Sequence, residues 1–218
     1  MIKVLTLTFS ILIFTACSFA TPKNDWQFKS SAAFSSYTRN FLSQKDVLAR
    51  NDLKRAKSHA TQGADLSALA KIYLGKCALD VSVGIVSQCK EYKEISNVTE
   101  DPKLDAYYAL ITQQIHKEQV DNLPNQYQSF TKNILNKDFK NANQEIQNMD
   151  KITSKLLCAG LIQDNITIKS IQNILDDASY HGYKKAVLFW LNIYKQKTTS
   201  KTQKALLTQK IAILKSVK

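Results

Sequence analysis

The stretch PKLDAYYALITQQI, residues 102–115, gives the clearest indication of the fold. Its apolar residues recur every three or four positions, at Leu104, Tyr107, Tyr108, Ile111 and Ile115. This spacing matches the 3.6-residue period of an amphipathic α-helix, and Asp101 followed by Pro102 is typical of a helix N-terminus. An apolar stripe of this kind must be covered by a neighbour, so the stretch predicts a helix that packs against other helices.

The same period recurs along most of the chain. Further stripes begin at Ala33, Ala49, Leu66, Tyr127, Phe139, Ile168, Val187 and Leu207. Asp65 and Thr167 are suited to cap helix N-termini, and Gly63, Gly75 and Gly182 lie where stripes end, as C-terminal caps would. Only five Gly and three Pro occur, and no long alternation of apolar and polar residues predicts a strand. We therefore expect an all-α fold of about eight to ten helices.

Composition indicates a globular chain with a core, because 44% of the residues are hydrophobic and 22% are charged. A chain of this length suits one ordinary domain. The stripes extend over residues 26–218, which we assign to a single all-α domain with a basic C-terminal part, residues 178–218.

The N-terminal segment predicts export. Lys3 is followed by the uncharged apolar residues 4–14, a run too short to span a bilayer and typical of a secretory signal. The residues Phe14-Thr15-Ala16-Cys17 resemble the lipobox of bacterial prolipoproteins. This resemblance implies that a signal peptide, residues 1–16, is removed, that Cys17 is lipidated and that residues 17–25 form a tether. Ser18 rather than Asp after the cysteine implies an outer-membrane, periplasm-facing location. Cleavage after Ser18-Phe19-Ala20 is the alternative and would release a soluble periplasmic protein.

Two segments resemble tetratricopeptide or Sel1-like helical repeats. They are Ala56 to Gly63 leading into Leu66 to Tyr73, and Ala178 to Gly182 leading into Ala186 to Trp190. In these families a small residue and a turn glycine let two helices pack closely. The resemblance implies stacked antiparallel helical hairpins in an α-solenoid, and an irregular helical bundle is the alternative.

Three cysteines follow Cys17, and an exported protein is expected to pair two of them. A disulfide between Cys77 and Cys89 would close a loop between consecutive helices and contribute about 3 kcal/mol. Cys158 lies beside Leu156 and Leu157 and is expected to be a small buried hydrophobic residue.

Charge is strongly one-sided. The net charge is +12, and nine Lys but no Asp or Glu follow Asp177. This excess predicts contact with an anionic partner, such as an acidic envelope protein, lipopolysaccharide or peptidoglycan. The residues assigned to that contact are Lys184, Lys185, Lys195, Lys197, Lys201 and Lys204. The alternative is biased composition, since Lys outnumbers Arg by 27 to 3. No Arg lies in the basic part, which argues against nucleic acid as the partner.

No local motif for catalysis is found. The chain has no nucleophile elbow, no phosphate-binding glycine loop and no zinc-protease helix motif. The carboxylate pairs Glu91 with Glu94 and Asp176 with Asp177 read as solvated helix faces, so no catalytic residue is assigned.

His59, His116 and His181 are isolated in sequence, so no metal site and no cofactor is expected. The sequence therefore favours a lipid-anchored helical interaction or scaffold protein of the cell envelope. A peptidoglycan-modifying enzyme and a soluble periplasmic binding protein are the alternatives.

Overall fold

The computed structural model of the chain describes residues 25–216, and within them every regular element is helical. Within residues 25–216, two 3₁₀ helices, Lys117–Asn122 and Gln163–Asn165, accompany eleven α-helices. The α-helices are α1 (Asp25–Leu42), α2 (Asp46–Gln62), α3 (Leu66–Ser82), α4 (Lys90–Thr99), α5 (Pro102–Ile111), α6 (Asn125–Leu135), α7 (Phe139–Asn148), α8 (Ile152–Leu161), α9 (Ile168–Tyr180), α10 (Lys184–Lys197) and α11 (Lys201–Ser216). The all-α prediction is confirmed, with one α-helix more than expected.

The predictions for the N-terminal segment lie outside the described residues. They comprise the signal peptide, residues 1–16, and the lipidation of Cys17. Helix α1 begins at Asp25, the last residue that the sequence assigned to the tether.

Three predicted N-caps are confirmed by their hydrogen bonds. The Asp65 carboxylate accepts from the backbone N–H of Ala68 at 2.8 Å, and the Asp101 carboxylate accepts from that of Lys103 at 2.9 Å. The Thr167 hydroxyl accepts from the backbone N–H of Ser170, the third cap of this kind. Each such cap stabilises a helix by about 1 kcal/mol.

The glycines predicted as helix ends behave differently from one another. Gly63 is the C-cap of α2, and Gly182 follows the end of α9 with a left-handed φ of 66°. Gly75 was wrongly predicted to end a helix, because α3 continues through it to Ser82. The ring of Phe34 lies directly against Gly75, and any side chain there would clash with it. The glycine therefore lets α1 approach α3 closely.

The stretch 102–115 forms a shorter helix than its stripe suggests. α5 ends at Ile111, and the next residue, Thr112, donates its hydroxyl to the carbonyl of Tyr108 at 2.9 Å. Gln113 then takes a left-handed φ of 58°, which stops the helix. Ile115 is buried nonetheless, from the loop that follows. The periodic pattern identified core residues here, but its last member is not helical.

Helix α3 lies at the centre of the domain. It packs against α1, α2, α4, α5 and α8, while α1 also contacts α10. In a solenoid each repeat contacts only its neighbours. Contacts between helices so distant in sequence are those of a closed, irregular bundle, which was the alternative to a repeat stack. One core runs through it from α1 to α11 and includes the fully buried Trp190, Phe130 and Leu110.

A buried lysine joins α8 to α9. Lys155 is only 6% exposed, and its Nζ donates to Asn173 Oδ1 at 3.0 Å and to Asp177 Oδ2 at 2.6 Å. Asp177 itself keeps 37% of its side chain exposed. The ion pair is therefore asymmetric, because the ammonium depends on the protein for its partners while the carboxylate also reaches solvent.

Candidate functional site

The disulfide loop, residues 83–89, connects α3 to α4. The structure brings Cys77 and Cys89 together as a disulfide, with their Cα atoms 5.5 Å apart. Cys77 lies within α3 and not after its end, since the helix extends to Ser82. Cys89 immediately precedes α4 and has a left-handed φ of 48°. The bond therefore holds the start of α4, and with it the second end of the loop, against the body of α3.

A side chain from another helix also packs against the disulfide loop. Gly84 has a left-handed φ of 73°, and the ring of Phe189 from α10 lies against it so closely that a Cβ would clash. Beyond this support the loop exposes apolar side chains, with Ile85 46% exposed and Val86 96% exposed. The loop is thus packed against α10 at Gly84, while the next two side chains reach solvent.

A cleft opens beside this loop, with a volume of about 960 Å³. We call it the loop cleft. Its apolar lining comes from α3, α5 and α8, through Val81, Tyr108, Ile111 and Gly160, and from the disulfide loop, through Ile85 and Val86. Val81 and Gly160 meet where α3 crosses α8, since a Cβ on Gly160 would lie 2.5 Å from the Val81 carbonyl oxygen. The close approach of these two helices shapes one wall of the cleft.

The rest of the lining is polar and rich in side-chain amides. The amides are Gln88, Gln113, Gln114 and Gln163, and Ser87 and Thr112 add hydroxyls. The charged lining residues are Lys90, Lys93 and Glu94 on α4, all three exposed to solvent. No His or Cys is among the described residues that line it. The cleft therefore combines hydrogen-bonding groups of both kinds with a slight positive charge.

None of the described ionisable groups with shifted pKa values lines the loop cleft. Burial raises the pKa of Asp80, and the Lys76 ammonium at 3.0 Å partly opposes this effect. Burial also raises the pKa of Tyr92, and so does the hydrogen bond that its hydroxyl donates to Asp105 Oδ1 at 2.7 Å. The Asp80 pair lies within α3, whereas the hydrogen bond from Tyr92 to Asp105 joins α4 to α5.

The six lysines assigned to an anionic contact lie on α10 and α11 and differ in their surroundings. Lys185 donates to Asp46 at 2.7 Å and lies 4.1 Å from the centre of the Phe41 ring. Lys197 donates to the Asp164 carbonyl at 2.8 Å. Both side chains therefore join α10 to other parts of the bundle. Lys184 and Lys195 are half-buried, whereas Lys201 and Lys204 are exposed on α11.

The carboxylate pairs and histidines are also dispersed. Glu94 lines the loop cleft, while Asp176 lines a groove of about 500 Å³ between α9 and α11. The Asp177 carboxylate forms an ion pair with the Lys155 ammonium group. Among residues 25–216, no three His, Cys, Asp or Glu side chains converge as metal ligands would.

Two further observations concern the whole described part of the chain. Between residues 25 and 216, none of the helices has the length and apolar character needed to cross a membrane. Comparison with protein-family models, with curated proteins and with solved structures finds no match to the chain. The fold and the loop cleft define an all-α protein with an open, amide-lined cleft.

Most of the cleft could not be assigned from the sequence. Its lining comes from three stretches of the chain, residues 81–94, 108–114 and 160–163, and only the first of them, which contains the disulfide loop, was singled out by its cysteines. Gln113 and Gln114 lie within the stretch predicted as one helix, so the sequence did not separate them from its exposed face. Gly160 gave no signal, because its role depends on a contact with α3, some eighty positions earlier in the chain.

Proposed function

We propose that the chain is an envelope-anchored helical interaction protein that binds an extended peptide segment of a partner protein in the loop cleft. The observation that carries this proposal is the open cleft of about 960 Å³ with its apolar base and four side-chain amides. Protein sites for ligands have volumes of about 300–1,000 Å³ and place a few polar groups over an apolar lining.

The chemistry of the lining suits a polypeptide. Each glutamine offers both a donor and an acceptor, which can pair with the N–H and C=O groups of an extended backbone. Val81 and Ile111 can take an apolar side chain of the bound segment. Lys90 and Lys93 outweigh Glu94 and favour an acidic residue in that segment. Because Glu94 is exposed beside Lys93, the cleft suits binding better than acid–base catalysis.

The location is part of the same proposal. The signal-like residues 4–14 and the lipobox-like sequence ending at Cys17 support export and attachment to the outer membrane on its periplasmic side. The pairing of Cys77 with Cys89 suits an oxidising compartment. A soluble periplasmic form, cleaved after Ala20, is the alternative outcome of processing.

Peptide selection on the purified chain tests the binding function. Peptides selected from a random library are labelled, and their affinities are measured by fluorescence anisotropy. The double variant Lys90→Glu with Lys93→Glu should weaken acidic peptides by about tenfold or more, since exposed ion pairs contribute up to about 1 kcal/mol each. The variant Gln113→Ala with Gln163→Ala should weaken all selected peptides by a similar factor.

The matched control reverses the same number of charges on other surfaces. Lys117→Glu with Lys140→Glu changes two exposed lysines outside the cleft. This control should leave the affinities unchanged. Selected peptides that bind the cleft variants as tightly as the parent chain would refute the proposal. So would a selection that yields no peptide dependent on the cleft.

A further inference from the structure

A second space, with a volume of about 500 Å³, lies next to the loop cleft. It is bounded by the loop that follows α5, by the end of α6 with the start of α7, and by the end of α8 with the 3₁₀ helix that follows it. We call it the second hollow. Its large apolar lining residues are Ile115, Ile134, Leu135, Phe139, Leu161 and Ile162.

The second hollow continues the loop cleft. Gln113, Gly160 and Gln163 line both spaces. These residues come from two separate segments, so the two spaces meet between the loop after α5 and the end of α8. An extended ligand in the loop cleft that passes between these segments therefore enters the second hollow.

Two side-chain amides stand at this junction, those of Gln113 and Gln163. Among the described residues, neither amide has a hydrogen-bond partner. The backbone that carries Gln113 is fixed, because its N–H donates to the Leu110 carbonyl at 3.1 Å and that of Gln114 donates to the Ala109 carbonyl at 2.8 Å. Each amide offers a donor and an acceptor, which suits the main chain of a peptide that crosses the junction.

The far wall of the second hollow is held in place by a buried side chain. This wall is the 3₁₀ helix Gln163–Asn165, and Asn143 on α7 is only 3% exposed. The Asn143 amide donates to the carbonyl of Asn165 at 3.0 Å and accepts from the backbone N–H of Thr167 at 2.8 Å. The wall is therefore ordered before any ligand arrives, which lowers the entropic cost of binding.

The second hollow differs from the loop cleft in charge. Asp164 is the one charged residue among its described lining residues. The Lys197 ammonium, which donates to the carbonyl of the same residue at 2.8 Å, offsets that charge. Ile115 and Ile162 are buried and give the hollow an apolar base. It therefore suits an uncharged apolar side chain, whereas the lysines of the loop cleft favour an acidic one.

From these observations we infer that the peptide bound in the loop cleft continues past Gln113 and Gln163 and places a large apolar side chain in the second hollow. This inference rests on the proposed peptide binding and adds a sequence rule for the partner. Its segment carries an acidic residue near Lys90 and Lys93 and an apolar residue beyond the two glutamines. In the recognition of extended peptides the main chain supplies affinity and side-chain pockets supply specificity, so the second hollow selects the partner.

Photocrosslinking on the unsubstituted chain tests the inference. Selected peptides that depend on the loop cleft should share a large apolar residue at a constant distance in sequence from their acidic residue. That apolar residue is replaced by benzoylphenylalanine, the complex is irradiated, and mass spectrometry locates the new bond. It should fall within residues 134–139 or 161–165. The same group at the acidic position should crosslink to residues 85–94.

Affinity measurements on matched leucine variants provide a second test. Replacing the apolar residue of the peptide by alanine should weaken binding to the parent chain by about tenfold or more. The same change should weaken binding to Leu135→Ala by only about threefold, because part of the contact is already lost. Leu175→Ala is the control, since this half-buried leucine lines the groove between α9 and α11, and it should keep the full loss.

The results that would overturn the inference differ from those that would refute the loop-cleft proposal. Peptides that depend on the loop cleft but share no apolar residue, or that crosslink only to residues 81–94, would overturn the inference alone. Equal losses in Leu135→Ala and Leu175→Ala would do the same. A selection without cleft-dependent peptides would overturn both proposals. A parent chain that dimerises, and becomes monomeric in Leu135→Ala, would assign the second hollow to another copy of the chain and overturn the inference.

Discussion

Removal of the disulfide between Cys77 and Cys89 should cost the domain a substantial part of its stability. The two residues are separated by 12 positions, and the loss of loop-closure entropy for such a loop corresponds to about 3 kcal/mol. The double variant Cys77→Ser with Cys89→Ser should therefore unfold about 6 to 12 °C below the parent chain. Urea unfolding, followed by far-ultraviolet circular dichroism, measures the same difference as a free energy.

The conformation of Cys89 makes this prediction more specific. Its φ of 48° is left-handed, which costs a residue with a Cβ about 1 kcal/mol and glycine almost nothing. Cys77→Ser with Cys89→Gly should therefore be more stable than the double serine variant by about 1 kcal/mol, provided the loop keeps its shape.

Two results would refute this reasoning. A loss of less than about 1 kcal/mol in the double serine variant would show that the loop is held without the bond. Equal stability of the serine and glycine variants would show that the left-handed residue is not strained. The parent chain measured with and without reductant is the control, because reduction should reproduce the serine variant.

Four other substitutions are expected to report on packing and charge. Gly160→Ala should destabilise the domain by about 1 to 3 kcal/mol in urea unfolding, because its Cβ would lie 2.5 Å from the Val81 carbonyl oxygen. Asp177→Ala should cost about 2 to 3 kcal/mol by leaving the buried Lys155 without its carboxylate, whereas Lys155→Met should cost less than about 1 kcal/mol. Burial raises the pKa of Asp80, so the native state binds a proton on this carboxyl more tightly than the unfolded state does. The native state loses this stabilisation as the pH rises and the proton dissociates. The stability of Asp80→Asn relative to the parent should therefore increase from about pH 3 to pH 7 in urea titrations.

The opposite results would count against each account. Stabilisation by Gly160→Ala would mean that its helical propensity outweighs the contact between α3 and α8. Equal costs for Asp177→Ala and Lys155→Met would remove the asymmetry assigned to their ion pair. A pH-independent difference between Asp80→Asn and the parent would show that this carboxyl keeps its ordinary affinity for protons in the native state.

The helices were predictable because their apolar residues repeat at a local period, and because Asp65, Asp101 and Thr167 cap their own helices. Local chemistry of this kind is visible in any short window of sequence. Gly75 was misread for a physical reason. Glycine serves equally as a helix end and as a site of close approach, and only the ring of Phe34 from another helix decides between the two.

The candidate sites were predictable only in part. The cysteines drew attention to the disulfide loop, but the cleft beside it depends on the crossing of α3 with α8. Such long-range packing leaves no period in the sequence. The basic C-terminal part was visible in the composition. The sequence did not indicate which of its lysines bond within the bundle and which are exposed. Lys185 bonds to Asp46, some 140 positions earlier, while Lys201 and Lys204 stay on the surface of α11.

The burial of Cys158 has a consequence for how the protein matures. Thiol–disulfide exchange needs an accessible thiolate, and this sulfur lies in the core, where burial raises the pKa of the thiol well above its usual range. Once α8 has packed, Cys158 can neither attack the bond between Cys77 and Cys89 nor compete for either sulfur. The folded domain therefore protects the bond between Cys77 and Cys89 from reshuffling by its own third cysteine.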